Sequence, residues 1–254
     1  MSSKIKSDRF SLKLYKKTLI KAKKLGYKFP FLSAYKKWIN QYSSFILLRH
    51  DIDISPLNAL QMAELESSLG ITSTYYVRMH SAFYNPSASP FLDILRKIKK
   101  AGHEIGLHYD CGFYKKKKIP ISKGISIDAG FLGHLIGAEV KSISQHKPVM
   151  RGWANKIPSR YINAYNEELM SKMTYISESG FKWRGKPLYD FIGSHPRIYA
   201  LIHPDTWAHS NLDMPASYNR TSKMLQQVLK SACSTFIDST YVYLKHRQRK
   251  DKVT

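Results

Sequence analysis

Short apolar stretches alternate along the chain with segments that have the spacing of amphipathic helices. Residues 45–48 form a continuous apolar run, which is typical of a strand buried on both faces. Ser55 and Pro56 then supply an N-cap and a first-turn proline for a helix that ends at Gly70. The same pattern predicts further strands at 73–77, 103–108, 140–144, 175–177 and 198–202, and further helices at 90–102, 131–136, 161–173 and from about 217 onward.

This alternation predicts an α/β fold, namely a distorted (β/α) barrel in which crossover helices join parallel strands in a single domain. Residues 1–44 are expected to be a helical segment packed on the barrel, with a helix on a membrane surface as the alternative. Residues 45–215 would form the barrel with its site, and 216–254 a C-terminal helix and basic tail of the same domain.

The composition supports a folded chain with a strong positive charge. Hydrophobic residues make up 43% of the 254 positions, and 41 Lys and Arg against 18 Asp and Glu give a net charge of +23. Such a charge favours anionic partners, and because no nucleic-acid-binding motif is present, nucleic acid is not expected among them. The two cysteines are too few for a disulfide framework.

The sequence also bears on location. No run approaches the roughly 18 apolar residues of a membrane span, and lysines interrupt the first stretch where a signal peptide would be apolar. We therefore expect a cytoplasmic protein, with peripheral contact at the inner face of an anionic membrane as the alternative.

Polar side chains with metal-binding and acid–base chemistry fall at the predicted strand ends. The carboxyl ends of parallel strands meet at one end of an α/β barrel, so these residues are expected to lie together. Histidines combined with carboxylates are the side chains of a hydrolytic metal site. The residues are Asp51, Asp53, His108, Asp110, His146, Glu178 and His203.

Two local alternatives stay open at the first strand end. Asp51 and Asp53 point the same way in an extended segment, and a cation would relieve their repulsion. Alternatively, Asp53 caps the helix at Ser55 and Asp51 pairs with Arg49. In the third strand, His103 and His108 lie on opposite faces because their separation is odd. We interpret His108, at the strand end, as a ligand and the other histidine as structural.

Several familiar sites are absent from the sequence. It has no phosphate-binding glycine loop and no GxSxG nucleophile elbow, which disfavours nucleotide-driven chemistry and serine hydrolysis. The lysine run 115–118 follows the His108 strand; it is either a solvated loop or a means of attracting an anionic substrate.

Four motifs together resemble a known family. They are LLRHDID at 47–53, GHEIGLHYD at 102–110, SQHKP at 144–148 and LIHP at 201–204. In this order they are similar to the polysaccharide deacetylase superfamily (NodB homology, carbohydrate esterase family 4), and most to its divergent branch from surface-polysaccharide biosynthesis. The resemblance covers about 45–207.

The resemblance implies a divalent metal, most often zinc, and removal of an N-acetyl group from a sugar. It implies that Asp51 is the catalytic base, that Asp53 and His108 bind the metal, and that His203, tuned by Glu178, protonates the leaving amine. The family's second histidine ligand, four residues after the first, is replaced by Gly112.

His146, at the next strand end, is the expected third ligand, because three protein ligands leave an open position for water. The alternative is that His146 contacts only the substrate or packs against Trp153, and that water, Asp110 or another carboxylate is the third ligand. The residues expected to bind substrate are Arg49, Asp110, Arg151, Trp183 and Trp207.

The expected function is therefore metal-dependent removal of an N-acetyl or related N-acyl group during surface-polysaccharide or glycolipid biosynthesis. The sugar would be carried on a nucleotide or a lipid. The alternatives are another metal-dependent barrel hydrolase, such as a phosphoesterase or amidohydrolase, and a non-catalytic basic binding protein.

Overall fold

A computed structural model describes residues 10–148, 157–209 and 214–250 of the chain, with side chains up to residue 240. Its centre is a curled sheet of eight strands in the order β5-β4-β3-β2-β1-β8-β6-β7. All neighbours are parallel except β6 and β7. The strands are β1 (Phe45–Ile52), β2 (Thr74–Val77), β3 (Glu104–Tyr109), β4 (Ser142–Gln145), β5 (Ile162–Asn163), β6 (Thr174–Ser179), β7 (Lys182–Trp183) and β8 (Arg197–Ile202).

Helices connect most of the strands and cover the outer face of the sheet. The arrangement is the distorted (β/α) barrel in one domain that the sequence predicts. Among the described residues, no helix is both long and apolar enough to cross a membrane. The helices are α1 (Leu12–Lys24), α2 (Tyr35–Gln41), α3 (Pro56–Ser68), α4 (Ser89–Lys100), α5 (Cys111–Lys116), α6 (Ile121–Ile136), α7 (Glu167–Lys172), α8 (Leu188–Phe191), α9 (Pro204–Trp207) and α10 (Met214–Lys250).

Strand β1 is the centre of the molecule, and every one of its residues is buried. Ile46 and Leu48 pack in the cluster that contains α1 residues, whereas Phe45 and Leu47 pack in a second cluster on the opposite face. The apolar run thus has the two-sided burial typical of a central parallel strand. Its carboxyl end lies between the ends of β2 and β8.

The N-terminal helix α1 packs on this core. Its Tyr15, Leu19 and Ala22 are fully buried, and the lysines between them stay exposed. The helical segment expected within residues 1–44 is interrupted because Gly26 adopts a left-handed conformation with φ +82°. A 3-10 turn and the short α2 follow.

Two of the helices expected from the sequence differ from those in the structure. The helix expected over 161–173 is instead strand β5 followed by α7, which begins only at Glu167. Asn166 fixes that start, because its side chain accepts a hydrogen bond from the backbone N–H of Leu169. The helix expected at 131–136 is longer and spans α6, which ends at the left-handed Gly137.

Candidate active site

Asp51 and Asp53 lie at the carboxyl end of β1 with their carboxylates in one pocket. Ile52 between them points into the core, as the alternation of a strand requires. The residue that caps α3 is Ser55, whose hydroxyl accepts a hydrogen bond from the backbone of Asn58. Asp53 is therefore free of the capping role that the sequence left open for it.

Arg49 holds Asp51 from beneath the pocket. Its Nε and Nη2 atoms donate to the two oxygens of Asp51 at 2.9 and 2.8 Å. The guanidinium is fully buried and also donates to Tyr165 and Tyr199. Burial acts to raise the pKa of Asp51, but Arg49, together with His108 and His203, lowers it, so the carboxylate stays ionised.

Three potential ligand atoms come together beside Asp51. Oδ1 of Asp53 lies 3.4 Å from Nε2 of His108 and 3.1 Å from Nδ1 of His146. The two imidazole nitrogens are 3.3 Å apart. A tetrahedral ion with ligand bonds of about 2.0–2.1 Å separates its donor atoms by about 3.3–3.4 Å. The triangle therefore has the dimensions of one face of a zinc coordination shell.

The protonation pattern of this triangle also suits a cation. Nδ1 of His108 lies 3.1 Å from the backbone carbonyl of Ser144, and since a carbonyl only accepts, this nitrogen carries the proton. Its Nε2 lone pair then faces the triangle, an orientation typical of a metal-binding histidine. Oδ1 of Asp53 is buried and accepts no hydrogen bond of good geometry. A metal ion would satisfy it.

The surroundings of Asp53 also favour its ionised form over its protonated form. Burial acts to raise the pKa of Asp53, but the close imidazoles of His108 and His146, together with His203, lower it well below the ordinary value. Among the described residues, Asp53, His108 and His146 are the group of three whose donor atoms are close enough to share an ion. These residues fit a single divalent metal.

His146 reaches the triangle because β4 continues the ladder of β3. His108 lies opposite Ser144 in the register, and the N–H of His146 donates to the carbonyl of Tyr109 at 2.9 Å. The imidazole of His146 therefore contacts Asp53 and His108 directly, at a position suited to a metal ligand. Its other expected contact, Trp153, lies outside the described residues.

His203 faces the same pocket from the end of β8. Nε2 is 3.8 Å from Oδ2 of Asp53, and Nδ1 is 3.6 Å from Oε1 of Glu178. That oxygen also accepts the backbone N–H of His203 at 2.6 Å. Burial acts to lower the pKa of His203, but the fully buried Glu178 raises it to about 9. The imidazole therefore holds a proton at neutral pH.

The pocket has a volume of about 260 Å³ and is large enough for a small group such as an acyl substituent. It is open to solvent on one side. Asp51, Asp53, His108, His146, Glu178 and His203 all line it.

Most of the residues expected to bind substrate do not line the described pocket. Arg49 does not line the pocket, because it is fully buried behind Asp51. Asp110 caps α5 by accepting from the backbone of Phe113, and it pairs with Arg78 at 3.1 Å. Arg151 lies outside the described residues.

Trp183 and Trp207 also lie away from the pocket wall that the structure describes. The ring of Trp183 stacks on Phe10 at 5.9 Å, and Trp207 packs edge-on against the same phenyl ring at 5.3 Å. Trp207 is only 2% exposed. Both indoles are therefore core residues that join the barrel to the N-terminal segment.

Other residues in the wall were missed by sequence reasoning. Tyr175 and Ser177 lie two residues apart on β6 and both line the pocket. The two-residue periodicity of a strand could therefore have identified them from the sequence. Tyr165 follows β5, which the sequence did not predict. Lys147 and Arg184 complete the cationic part of the wall.

A second buried polar cluster lies beneath the barrel and is separate from the pocket. Glu66 of α3 accepts hydrogen bonds from the hydroxyls of Tyr15, Ser73 and Tyr75 and faces Nε2 of His50 at 2.8 Å. His103 bonds the carbonyl of Ala63 and lies near Glu66. It has the structural position expected for it.

No family model and no curated protein matches the chain. Among solved structures, it is similar to peptidoglycan deacetylase PdaC from Bacillus subtilis, with 12% identity, a TM-score of 0.46, and coverage of 78% of this chain and 98% of that one. It is also similar to a family 4 carbohydrate esterase from Bacillus anthracis, with 16% identity, a TM-score of 0.40, and coverage of 78% and 86%.

A third similar structure is the deacetylase PplD from Streptococcus pyogenes, with 14% identity, a TM-score of 0.42, and coverage of 76% and 84%.

Proposed function

We propose that the protein is a metal-dependent hydrolase that removes an N-acetyl or related N-acyl group from a sugar. The observation that carries this proposal is the triangle of Asp53, His108 and His146, with Asp51 and His203 beside it in the same pocket. A divalent ion in the triangle would supply a Lewis acid for the amide carbonyl and lower the pKa of water. Two imidazoles and one carboxylate suit zinc best.

Asp51 acts as the general base. Arg49 occupies one lone pair on each oxygen, so further lone pairs remain toward the pocket that Asp51 lines. The bidentate pair fixes the carboxylate in place and keeps it ionised, ready to accept a proton from attacking water. Arg49 thus positions the base and does not contact substrate.

His203 acts as the general acid. An amine leaves an amide readily only when its nitrogen is protonated, so a group that holds a proton must face it. Nε2 of His203 points into the pocket from β8, and Glu178 behind it favours the protonated form. The proton passes from Nε2 to the amide nitrogen as the C–N bond breaks.

The motif resemblance supports a role in surface-polysaccharide or glycolipid biosynthesis, in the cytoplasm or at the inner face of the membrane. The net charge of +23 supports an anionic form of the substrate, such as a sugar on a nucleotide or lipid carrier. The same positive net charge would favour contact with an anionic membrane.

Acetate release tests this function. The purified protein is depleted of metal, reloaded with zinc, and incubated with N-acetylhexosamines that are free, nucleotide-linked or lipid-linked. We expect acetate release that needs the metal and is lost in Asp51→Asn, whereas the exposed-surface control His134→Ala keeps it. Release that is equal in metal-free protein would contradict the proposal, and release of phosphate would favour a phosphoesterase.

A further inference from the structure

The acidic side chains that line the pocket each have a partner of opposite charge or a place for one. Asp51 pairs with Arg49 at 2.8 Å, and Glu178 faces His203 at 3.6 Å. Asp53 belongs to the triangle that fits a divalent ion. With that ion bound, these partners already balance the negative charge of the described pocket wall. The wall also contains two exposed cations, Lys147 and Arg184.

Lys147 is the first of these cations. It lies directly after His146 and lines the pocket with an exposed side chain. Its φ of +50° is left-handed, a conformation that costs free energy for a residue with a side chain and that recurs at functional sites. Among the described residues, no acidic side chain forms an ion pair with it.

Arg184 is the second cation, and it comes from the other half of the curled sheet. The hairpin between β6 and β7 brings it to the pocket, where its N–H donates to the carbonyl of Ser177 at 2.9 Å. Its side chain is exposed, close to Tyr175, and makes no ion pair with an acidic residue in the described parts of the chain.

From this arrangement we infer that Lys147 and Arg184 form an anion subsite, so that the substrate is a sugar bearing a carboxylate or a phosphate besides its acyl group. The inference rests on the proposed function and names the substrate class. The fork of Arg184 suits a two-oxygen acceptor, and Lys147 adds a point charge. The anion would be either part of the sugar ring or the phosphate of a carrier.

Binding of deacetylated sugars tests the subsite without turnover. Zinc-loaded protein is titrated calorimetrically with glucosamine, its 1-phosphate, its 6-phosphate and its uronate. We expect at least one anionic sugar to bind about tenfold or more tightly than the neutral one, which corresponds to about 1.4 kcal/mol. Preference for the 1-phosphate indicates a carrier, and preference for the 6-phosphate or the uronate indicates a charge on the sugar itself.

The variants Lys147→Gln and Arg184→Gln should each reduce the ratio of anionic to neutral affinity by about fivefold, as expected for a partly solvent-screened charge. Lys186→Gln is the matched control, because Lys186 is exposed, lies two residues from Arg184, and does not line the pocket. Its ratio should stay at the wild-type value.

Equal affinity for neutral and anionic sugars, no binding of any anionic sugar, or an equal loss in Lys186→Gln would overturn the subsite. Acetate release by the same preparation separates the two proposals. Release without anion preference overturns the subsite alone. Anion preference that depends on Lys147 and Arg184, without acetate release, overturns the proposed activity and leaves the subsite standing.

Discussion

Nδ1 of His146 lies 3.1 Å from Oδ1 of Asp53, although the two residues belong to β4 and β1 ends that are separated by two other strands in the sheet. The curl of the sheet brings these ends together around the end of β3. We propose that a histidine of a neighbouring strand thus takes the place of the ligand that the resembled family has four residues after its first histidine. Here that residue is Gly112, in the first turn of α5.

His146→Ala is predicted to weaken zinc binding as strongly as His108→Ala. Loss of a direct ligand should lower the affinity by at least about 100-fold, beyond the roughly 10- to 100-fold loss typical of a residue that only orients a ligand. Competitive titration with a chelating dye measures both. His134→Ala, an exposed histidine on α6, is the control and should bind zinc normally. Near-native zinc affinity in His146→Ala would show that it is not a ligand.

Glu178→Gln is predicted to shift the pH dependence of catalysis. The Glu178 carboxylate raises the pKa of His203 to about 9, so its removal lowers that pKa. The rate falls as His203 loses its proton, and the alkaline limb of the kcat/KM profile should therefore move to lower pH. Zinc content should not change. An alkaline limb that coincides with that of the exposed control Glu139→Gln would assign the acid role elsewhere.

Arg49→Gln is predicted to destabilise the fold. The change breaks a fully buried pair and leaves Asp51 with an uncompensated charge, which costs about 3–5 kcal/mol of unfolding free energy. Urea denaturation measures it. Arg184→Gln, on the surface, should stay within about 0.5 kcal/mol of the wild type. A similar stability for the two variants would contradict the role assigned to the buried guanidinium.

Glu66 is predicted to make the fold sensitive to acid. Burial acts to raise the pKa of Glu66, but His50 and the surrounding donors lower it to about 2. Because the folded-state pKa lies below the unfolded value, the stabilisation is present above about pH 4.5 and is lost as the pH falls toward 2.

The size of this effect is on the order of 3 kcal/mol. Glu66→Gln should therefore be less stable than the wild type at pH 7, and the difference should shrink between pH 5 and pH 2. Denaturation measured at several pH values gives both curves. A constant difference over this range would show that ionisation of Glu66 does not contribute.

The positions of residues at the strand ends could be predicted from the sequence for a local reason. A central strand buried on both faces is a continuous apolar run, and the polar residue that ends it marks the end of the barrel where the site lies. Asp51, Asp53, His108 and His203 were found in this way. To place His146 near them, the sequence argument needed one further assumption, namely that β4 lies next to β3.

The packing of the aromatic residues could not be predicted from the sequence, because it depends on long-range contacts. Trp183 and Trp207 follow site residues closely in sequence, but their rings pack around Phe10 near the beginning of the chain. No local pattern of hydrophobic and polar residues predicts that contact. The pairing of Arg49 with Asp51 was one of the alternatives at the first strand end, and the structure shows this pair.

Zinc X-ray absorption spectroscopy tests the central claim most directly, because it counts the imidazoles around the ion. Zinc-loaded wild type should hold one ion per chain with two imidazoles and oxygen ligands at about 2.0–2.2 Å, and His146→Ala should lose one imidazole. A wild-type spectrum with fewer than two imidazoles, or an imidazole count unchanged in His146→Ala, would contradict the site built by Asp53, His108 and His146.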